Sequence, residues 1–224
     1  MVTYKNEYIN IVVLGSFNPA ILAHEFLVKQ CSFALPKEPK TNTPPVPVFS
    51  SLEYDKISFF ADLGRLQITE KGCEDPKSSL IPRYLDTYLK KLPYTPVTMC
   101  GANFRNELTI KKSKLENIGE WLKNSRSMFC EILQCPAVDL EMTLTVESDK
   151  EKINSWILRT KVKEYNASTM MKVSVIIGCD DKVKVDFNYE VGNLDRDKNL
   201  IKSITDDYAK VVDLFRYQIE RIFG

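Results

Sequence analysis

Between Val138 and Val146 the chain reads VDLEMTLTV, in which apolar residues alternate strictly with polar ones. This alternation is typical of a β-strand with one buried face and one wet face. Three more runs with the same period follow closely, at residues 153–162, 170–177 and 182–191. Connections this short join antiparallel strands, because a parallel crossover needs a dozen or more residues. The sequence therefore predicts a C-terminal four-strand antiparallel meander.

The final segment, from about Asn199 to Phe223, has the pattern of a long amphipathic helix. Its apolar residues recur every three or four positions and form one stripe, made of Ile201, Ile204, Tyr208, Val211, Phe215, Ile219 and Ile222. A stripe of this kind is normally buried against another element. We expect it to cover the meander. The alternative use is a seam between two copies of the chain, which would make a homodimer.

The first half of the chain mixes strand and helix patterns. It predicts strands at residues 8–17, 46–54 and 95–110, a hairpin at 56–69, and helices at 19–30 and 79–92. Together with the meander, these elements predict an α+β fold with mostly antiparallel sheet. We expect a single domain over residues 1–224. A division into a mixed half, 1–135, and a meander-plus-helix half, 136–224, is the alternative, although no linker composition marks a boundary between them.

Composition argues against several classes of function. The chain has 31 Lys and Arg against 30 Asp and Glu, so its formal net charge of +1 gives no general attraction to nucleic acid. Its eight glycines are too scattered for a glycine-rich phosphate loop, and one histidine and six cysteines without a CxxC pair do not suggest a metal site. We therefore predict no metal and no cofactor. With no leader pattern and no run of 18 apolar residues, we expect a cytoplasmic protein without a membrane segment.

One short motif points to chemistry. The segment Gly15-Ser16-Phe17-Asn18-Pro19, followed by His24, resembles the signature of the nucleotidyltransferases that adenylylate nicotinate or nicotinamide mononucleotide. The resemblance covers about ten residues. It implies an ATP site at a helix N-terminus, with His24 as the catalytic candidate, and it places these residues at the phosphates: Gly15, Phe17, Asn18 and His24.

The same segment has a purely structural interpretation. Asn18 is a good N-cap and Pro19 suits the first position of a helix, so the motif can simply start the helix predicted at 19–30. Ile21 also stands where the nucleotidyltransferase family has its first polar, phosphate-binding residue. That family has a doubly wound parallel sheet, whereas the C-terminal strands here predict an antiparallel one. We favour the structural interpretation.

A proline-rich segment is the second candidate site. Residues 35–47 read LPKEPKTNTPPVP and hold five prolines, Pro36, Pro39, Pro44, Pro45 and Pro47. Proline removes amide donors and favours extended polyproline II backbone, which docks into aromatic grooves. Phe33 and Phe49 flank the segment, and we expect them to be exposed and to bind a partner with the prolines. A plain surface connection is the alternative.

These observations predict a non-catalytic cytoplasmic binding or assembly protein. It would act through contacts with a protein partner or with a second copy of itself. The prediction rests on the ordinary composition and on the small number of residues suited to catalysis. A nucleotide-binding, adenylyltransferase-like enzyme that uses the Gly15 to His24 segment is the alternative.

Overall fold

The computed structural model describes residues 4–43, 48–109, 137–146, 154–164, 167–177, 182–192, 205–206 and 208–223. Ten strands lie within these ranges: β1 Tyr4–Gly15, β2 Thr41–Thr43, β3 Phe49–Glu53, β4 Ile57–Asp62, β5 Arg65–Lys71, β6 Val97–Thr109, β7 Ala137–Val146, β8 Asn154–Glu164, β9 Ala167–Ile177 and β10 Lys182–Gly192. They form one sheet in the order β2-β3-β4-β5-β1-β6-β10-β9-β8-β7.

Every described strand pair is antiparallel. The predicted α+β class with an antiparallel sheet is therefore confirmed. The last four strands follow one another in the sheet and form a meander, which joins the first half of the chain where β10 pairs with β6. The doubly wound parallel sheet that the nucleotidyltransferase resemblance implies is not found among the described strands.

One face of the sheet carries the hydrophobic core. Along β1, Ile9, Ile11 and Val13 are fully buried, and their period of two places them on the same face. Phe104 on β6 lies opposite Ile9, and Phe187 on β10 lies opposite Phe104. The buried row therefore runs across the strands of both halves of the chain.

Helix α1, Ile81–Lys91, covers part of this face. A proline in its first turn suits the helix start, since a first-turn amide has no intrahelical acceptor. Besides Pro82, its buried residues recur at helical spacing and are Ile81, Tyr84, Leu85, Tyr88 and Leu89. The helix predicted at 79–92 is thus present, and its apolar side packs into the core.

Helix α2, Tyr208–Phe223, packs on β6 and β10 through its aromatic side chains. The Phe215 ring lies nearly parallel to Phe104, with ring centroids 5.2 Å apart, and 5.5 Å from Phe187. Two ion pairs tie the helix to the short turn at Pro76–Ser78: Lys77 Nζ lies 2.6 Å from Asp213, and Arg216 lies 2.7 Å from Asp75.

The structure shows only part of the terminal helix that the sequence predicts. Residues 199–204 and 207 lie outside the described residues, so a start near Asn199 is not confirmed. Phe187 is the meander residue that α2 is seen to contact, and coverage of the other three meander strands is not confirmed. Since Val211 and Phe215 are buried within their own chain, they do not form the seam between copies that the stripe also allowed.

The helix predicted at 19–30 is wrong in detail. A 3-10 turn covers Pro19–Ile21, and a π-helical turn covers Phe26–Gln30. The backbone between the two turns is bound by β3, because Ser50 Oγ donates a hydrogen bond to the Leu22 carbonyl at 2.7 Å. With Leu22 and Leu27 both fully buried, the segment follows the core surface rather than a regular helix.

No helix among the described residues is long and apolar enough to cross a bilayer. Whether the chain forms one domain or two remains a prediction, although its two halves share a sheet.

Candidate functional site

The backbone amides of the Gly15 segment already have hydrogen-bond acceptors. The N–H groups of Gly15, Ser16 and Phe17 each donate to a carbonyl of a neighbouring turn at 3.0 Å. A Cβ added to Gly15 would lie 2.2 Å from the Pro96 carbonyl oxygen, far inside van der Waals contact. Glycine is therefore required by the close approach of the 92–96 loop. The three amides are not available to cradle a phosphate.

The other residues of the motif also have structural roles. Asn18 Oδ1 accepts a hydrogen bond from the Ala20 amide at 3.1 Å, which makes Asn18 the predicted N-cap, although of a 3-10 turn. Phe17 is buried. His24 Nδ1 shares a 2.8 Å hydrogen bond with the Tyr54 hydroxyl, and burial raises the pKa of Tyr54 to about 12, so that hydroxyl stays neutral. These contacts favour the structural interpretation of the motif.

Phe33 is part of the core rather than an exposed partner-binding residue. Its ring stacks on Tyr84 with centroids 4.2 Å apart, and it lies 6.0 Å from Phe59. Only 6% of the residue is exposed. Cys31 and Phe33 are both buried on either side of the exposed Ser32, where a φ of +56° turns the backbone, and no local periodicity signals this arrangement.

The proline-rich segment is partly described. Pro36 is exposed and Pro39 half-buried, while Pro44, Pro45 and Pro47 lie outside the described residues. Between them, β2 pairs with β3 as the edge of the sheet, and the Lys40 amide donates to the Glu53 carbonyl at 2.7 Å. The predicted extended loop is therefore in part a three-residue edge strand. A strand this short and flanked by prolines limits unwanted edge pairing.

Phe49, in contrast, is one of five exposed apolar residues near the same end of the sheet, which we call the apolar rim. Its members and their exposed fractions are Leu14 at 37%, Val48 at 61%, Phe49 at 41%, Leu63 at 57% and Tyr94 at 93%. Large apolar residues exposed together at one place often mark an interaction surface.

Backbone pairing brings the apolar rim together at one end of the sheet. Phe49 begins β3 and lies opposite Asp62, the last residue of β4, and Leu63 follows in the turn to β5. Leu14 lies opposite Arg65, the first residue of β5. Because neighbouring strands are about 4.8 Å apart, Phe49 and Leu14 are separated by roughly 14 Å across three strand spacings.

Tyr94 joins the apolar rim through the loop before β6. The Pro96 carbonyl of that loop accepts the Ser16 amide, which places Tyr94 beside the end of β1. Prolines at both ends of the sequence Pro93-Tyr94-Thr95-Pro96 restrict its backbone, and the Tyr94 ring between them is exposed. Sequence reasoning missed Tyr94, although an aromatic residue between two prolines is a recognisable surface signal.

A shallow cavity of about 330 Å³ lies next to Tyr94. It is lined by Ser16, Asn18, Ile21 and residues 91–96, so its wall combines one aromatic ring, two prolines and two aliphatic side chains with polar groups that include Lys91 at the end of α1. The middle of the apolar rim is polar, since Arg65 Nε lies 3.4 Å from Asp62. The site thus combines exposed apolar side chains with a central ion pair and a shallow cavity.

On the sheet face opposite the hydrophobic core, polar side chains form hydrogen bonds with one another. Asn103 donates to Asn10 at 2.7 Å and accepts from Asn188, and the buried Oδ1 of Asn188 has no partner among the described residues. Arg105 holds Asp186 through two hydrogen bonds of 2.5 and 2.7 Å, which raise the pKa of the guanidinium. Arg105 therefore offers no unpaired charge to a nucleic-acid phosphate.

Within the described residues, no group of three or more His, Cys, Asp or Glu side chains is arranged to hold a metal ion. No protein-family model matches this chain, and no curated protein matches it.

Proposed function

We propose that this chain is a non-catalytic cytoplasmic binding protein that holds a protein partner at the apolar rim. The supporting observation is the distribution of exposed apolar groups. Of the six large apolar residues exposed in the described chain, five lie in the apolar rim, and Leu80 alone lies elsewhere. Water-exposed apolar surface gathered in this way gains free energy when a partner covers it, at roughly 25 cal/mol per Å².

Tyr94 and Phe49 are the expected anchors. Aromatic side chains carry a large share of binding energy at interfaces because they bury much area with few rotatable bonds. The prolines around Tyr94 restrict the backbone before binding, so less conformational entropy is lost. The cavity beside Tyr94 gives an apolar side chain of the partner a place to insert.

The test is site-specific photocrosslinking in the native host. A photoreactive phenylalanine analogue at position 94 is expected to give one discrete adduct with a protein partner. The analogue at position 80 is the matched control, since Leu80 is 47% exposed but lies outside the apolar rim. Absence of an adduct at position 94, or the same adducts from both positions, would contradict the proposal.

The identified partner then allows a quantitative test. Tyr94→Ser and Phe49→Ser should each weaken its binding at least tenfold in calorimetric titration, whereas Leu80→Ser should leave binding unchanged. Equal losses for all three variants would indicate a general surface effect and reject the apolar rim.

An experiment on the same purified protein tests the alternative function, a nucleotide-binding enzyme. Native mass spectrometry with ATP, Mg²⁺ and nicotinamide or nicotinate mononucleotide is expected to show the protein without nucleotide, because the amides at residues 15–17 already donate to carbonyls. A saturable nucleotide adduct that His24→Ala abolishes would instead support the adenylyltransferase-like enzyme.

A further inference from the structure

The two ends of the sheet are very different edges. At one end β2 has three residues, Thr41–Thr43. At the other end β7 has ten residues, Ala137–Val146, and no described strand pairs with its outer side. The outer side of an edge strand presents a row of main-chain donors and acceptors, which another strand can extend.

The sequence of β7 is nearly symmetric about Met142. Two residues away on either side stand Leu140 and Leu144, and four residues away stand Val138 and Val146. The polar positions between them also match in pairs. Glu141 corresponds to Thr143 on the other side of Met142, and Asp139 corresponds to Thr145.

This symmetry suits antiparallel pairing of β7 with a second copy of itself. With a twofold axis at Met142, every apolar position faces an apolar position, and every acidic position faces a threonine. An axis at Glu141 would oppose the two Glu141 residues, and an axis at Thr143 would oppose Asp139 to Glu147. Like charges directly opposite each other destabilise a strand pair, so the Met142 register is favoured over these two neighbours.

The neighbouring strand has a basic residue at the position paired with each acidic residue of β7. In the β7–β8 register, Arg159 is the cross-strand partner of Glu141, and Lys161 is the partner of Asp139. When two β7 strands approach each other, each acidic position therefore already has a basic position opposite it on β8. The register also puts Met142 in the same cross-strand row as Leu158, Val173 and the buried Phe187.

We infer that two copies of the chain associate through their β7 edges, in antiparallel register about Met142, and form one continuous sheet. The partner is a second copy of this chain. The surface is separate from the apolar rim, and the inference does not rest on the proposed function.

Charge variants on the polar face test the inference directly. Thr143 would face Glu141 of the second copy in two equivalent pairs. Thr143→Glu should weaken the dimer on the order of tenfold, and Thr143→Lys should tighten it several-fold, because each cross-strand charge pair changes the binding free energy by up to about 1 kcal/mol. Asn42→Glu, on the exposed β2 edge, is the control and should change nothing.

Sedimentation velocity of the full chain over a concentration series gives the dimer dissociation constant. Within one chain Thr143 pairs with the uncharged Ile157, so neither variant opposes a charge in its own fold. Shifts of opposite sign for the two variants support the inference. A monomer at every concentration, or shifts of the same sign, would overturn it and would indicate that another part of the chain covers the β7 edge.

Disulfide trapping tests the register. Paired Cα atoms in an antiparallel ladder lie about 4.5–5.5 Å apart, which suits a disulfide. In a chain with Cys130, Cys135 and Cys179 changed to serine, Met142→Cys should give a covalent dimer under mild oxidation. Leu140→Cys alone should not, because its symmetry mate lies four residues along the strand. Equal trapping of both variants, or of neither, would overturn the proposed pairing.

Discussion

Replacing Phe33 by alanine removes a ring that is 6% exposed and packed against two other rings. Deleting a buried phenylalanine side chain costs about 3–5 kcal/mol, from lost transfer energy and from the cavity left behind. The stacked contact with Tyr84 at 4.2 Å adds to this value, since aromatic pairs contribute about 0.5–1.5 kcal/mol beyond buried area. We therefore expect Phe33→Ala to lower the free energy of unfolding by at least about 3.5 kcal/mol.

Phe49→Ala is the matched comparison, because it deletes the same side chain from the apolar rim. Phe49 is 41% exposed, so its loss should cost about 1 kcal/mol or less. In urea, with a slope of roughly 3 kcal/mol per molar, the midpoint should fall by more than about 1.1 M for Phe33→Ala and by less than about 0.4 M for Phe49→Ala. Equal midpoints would refute the assignment of Phe33 to the core and Phe49 to the apolar rim.

Three further predictions concern buried groups. Gly15→Ala should cost about 1–3 kcal/mol in urea unfolding, since the new Cβ meets the Pro96 carbonyl at 2.2 Å; an unchanged midpoint would contradict that close approach. Replacing both Asn6 and Asn106 by leucine should raise the free energy of unfolding by about 1–3 kcal/mol, because their buried side-chain amides have no partner among the described residues; a loss of stability would show that the amides are bonded. Burial raises the pKa of Tyr54 from 10.0 to about 12, so the neutral hydroxyl stabilises the fold fully below pH 10, and this stabilisation is lost as the pH rises toward 12. The free energy of unfolding of Tyr54→Phe should therefore fall less steeply with pH over that range than that of the unchanged protein. Equal slopes of the two proteins would contradict the pKa shift.

Local pattern was sufficient where burial follows the period of a single element. The alternation in residues 138–146, and in the three runs that follow, depends only on which side of a strand faces the core, and β7 to β10 form as predicted. Helix α1 was predicted for the same reason, since its buried residues recur at helical spacing.

The candidate site depended on contacts between distant parts of the chain. Phe33 and Phe49 look alike in sequence, but one stacks on Tyr84, about fifty positions away, and the other lies at the end of β3. Tyr94 joined the apolar rim only because the 92–96 loop reaches the end of β1. Such neighbours are not encoded in spacing along the chain, so sequence reasoning could not collect them into one surface.

Periodicity and composition by themselves determined the strands of the meander, helix α1 and the antiparallel class of this protein, because these follow from local geometry and the burial of one face. The tertiary structure decided which apolar residues remain in water and which donors are already paired. It placed the Gly15 amides against carbonyls and the exposed side chains of the apolar rim at one end of the sheet. Exposure and hydrogen-bond pairing depend on residues far apart in sequence, and only the folded chain brings those residues into contact.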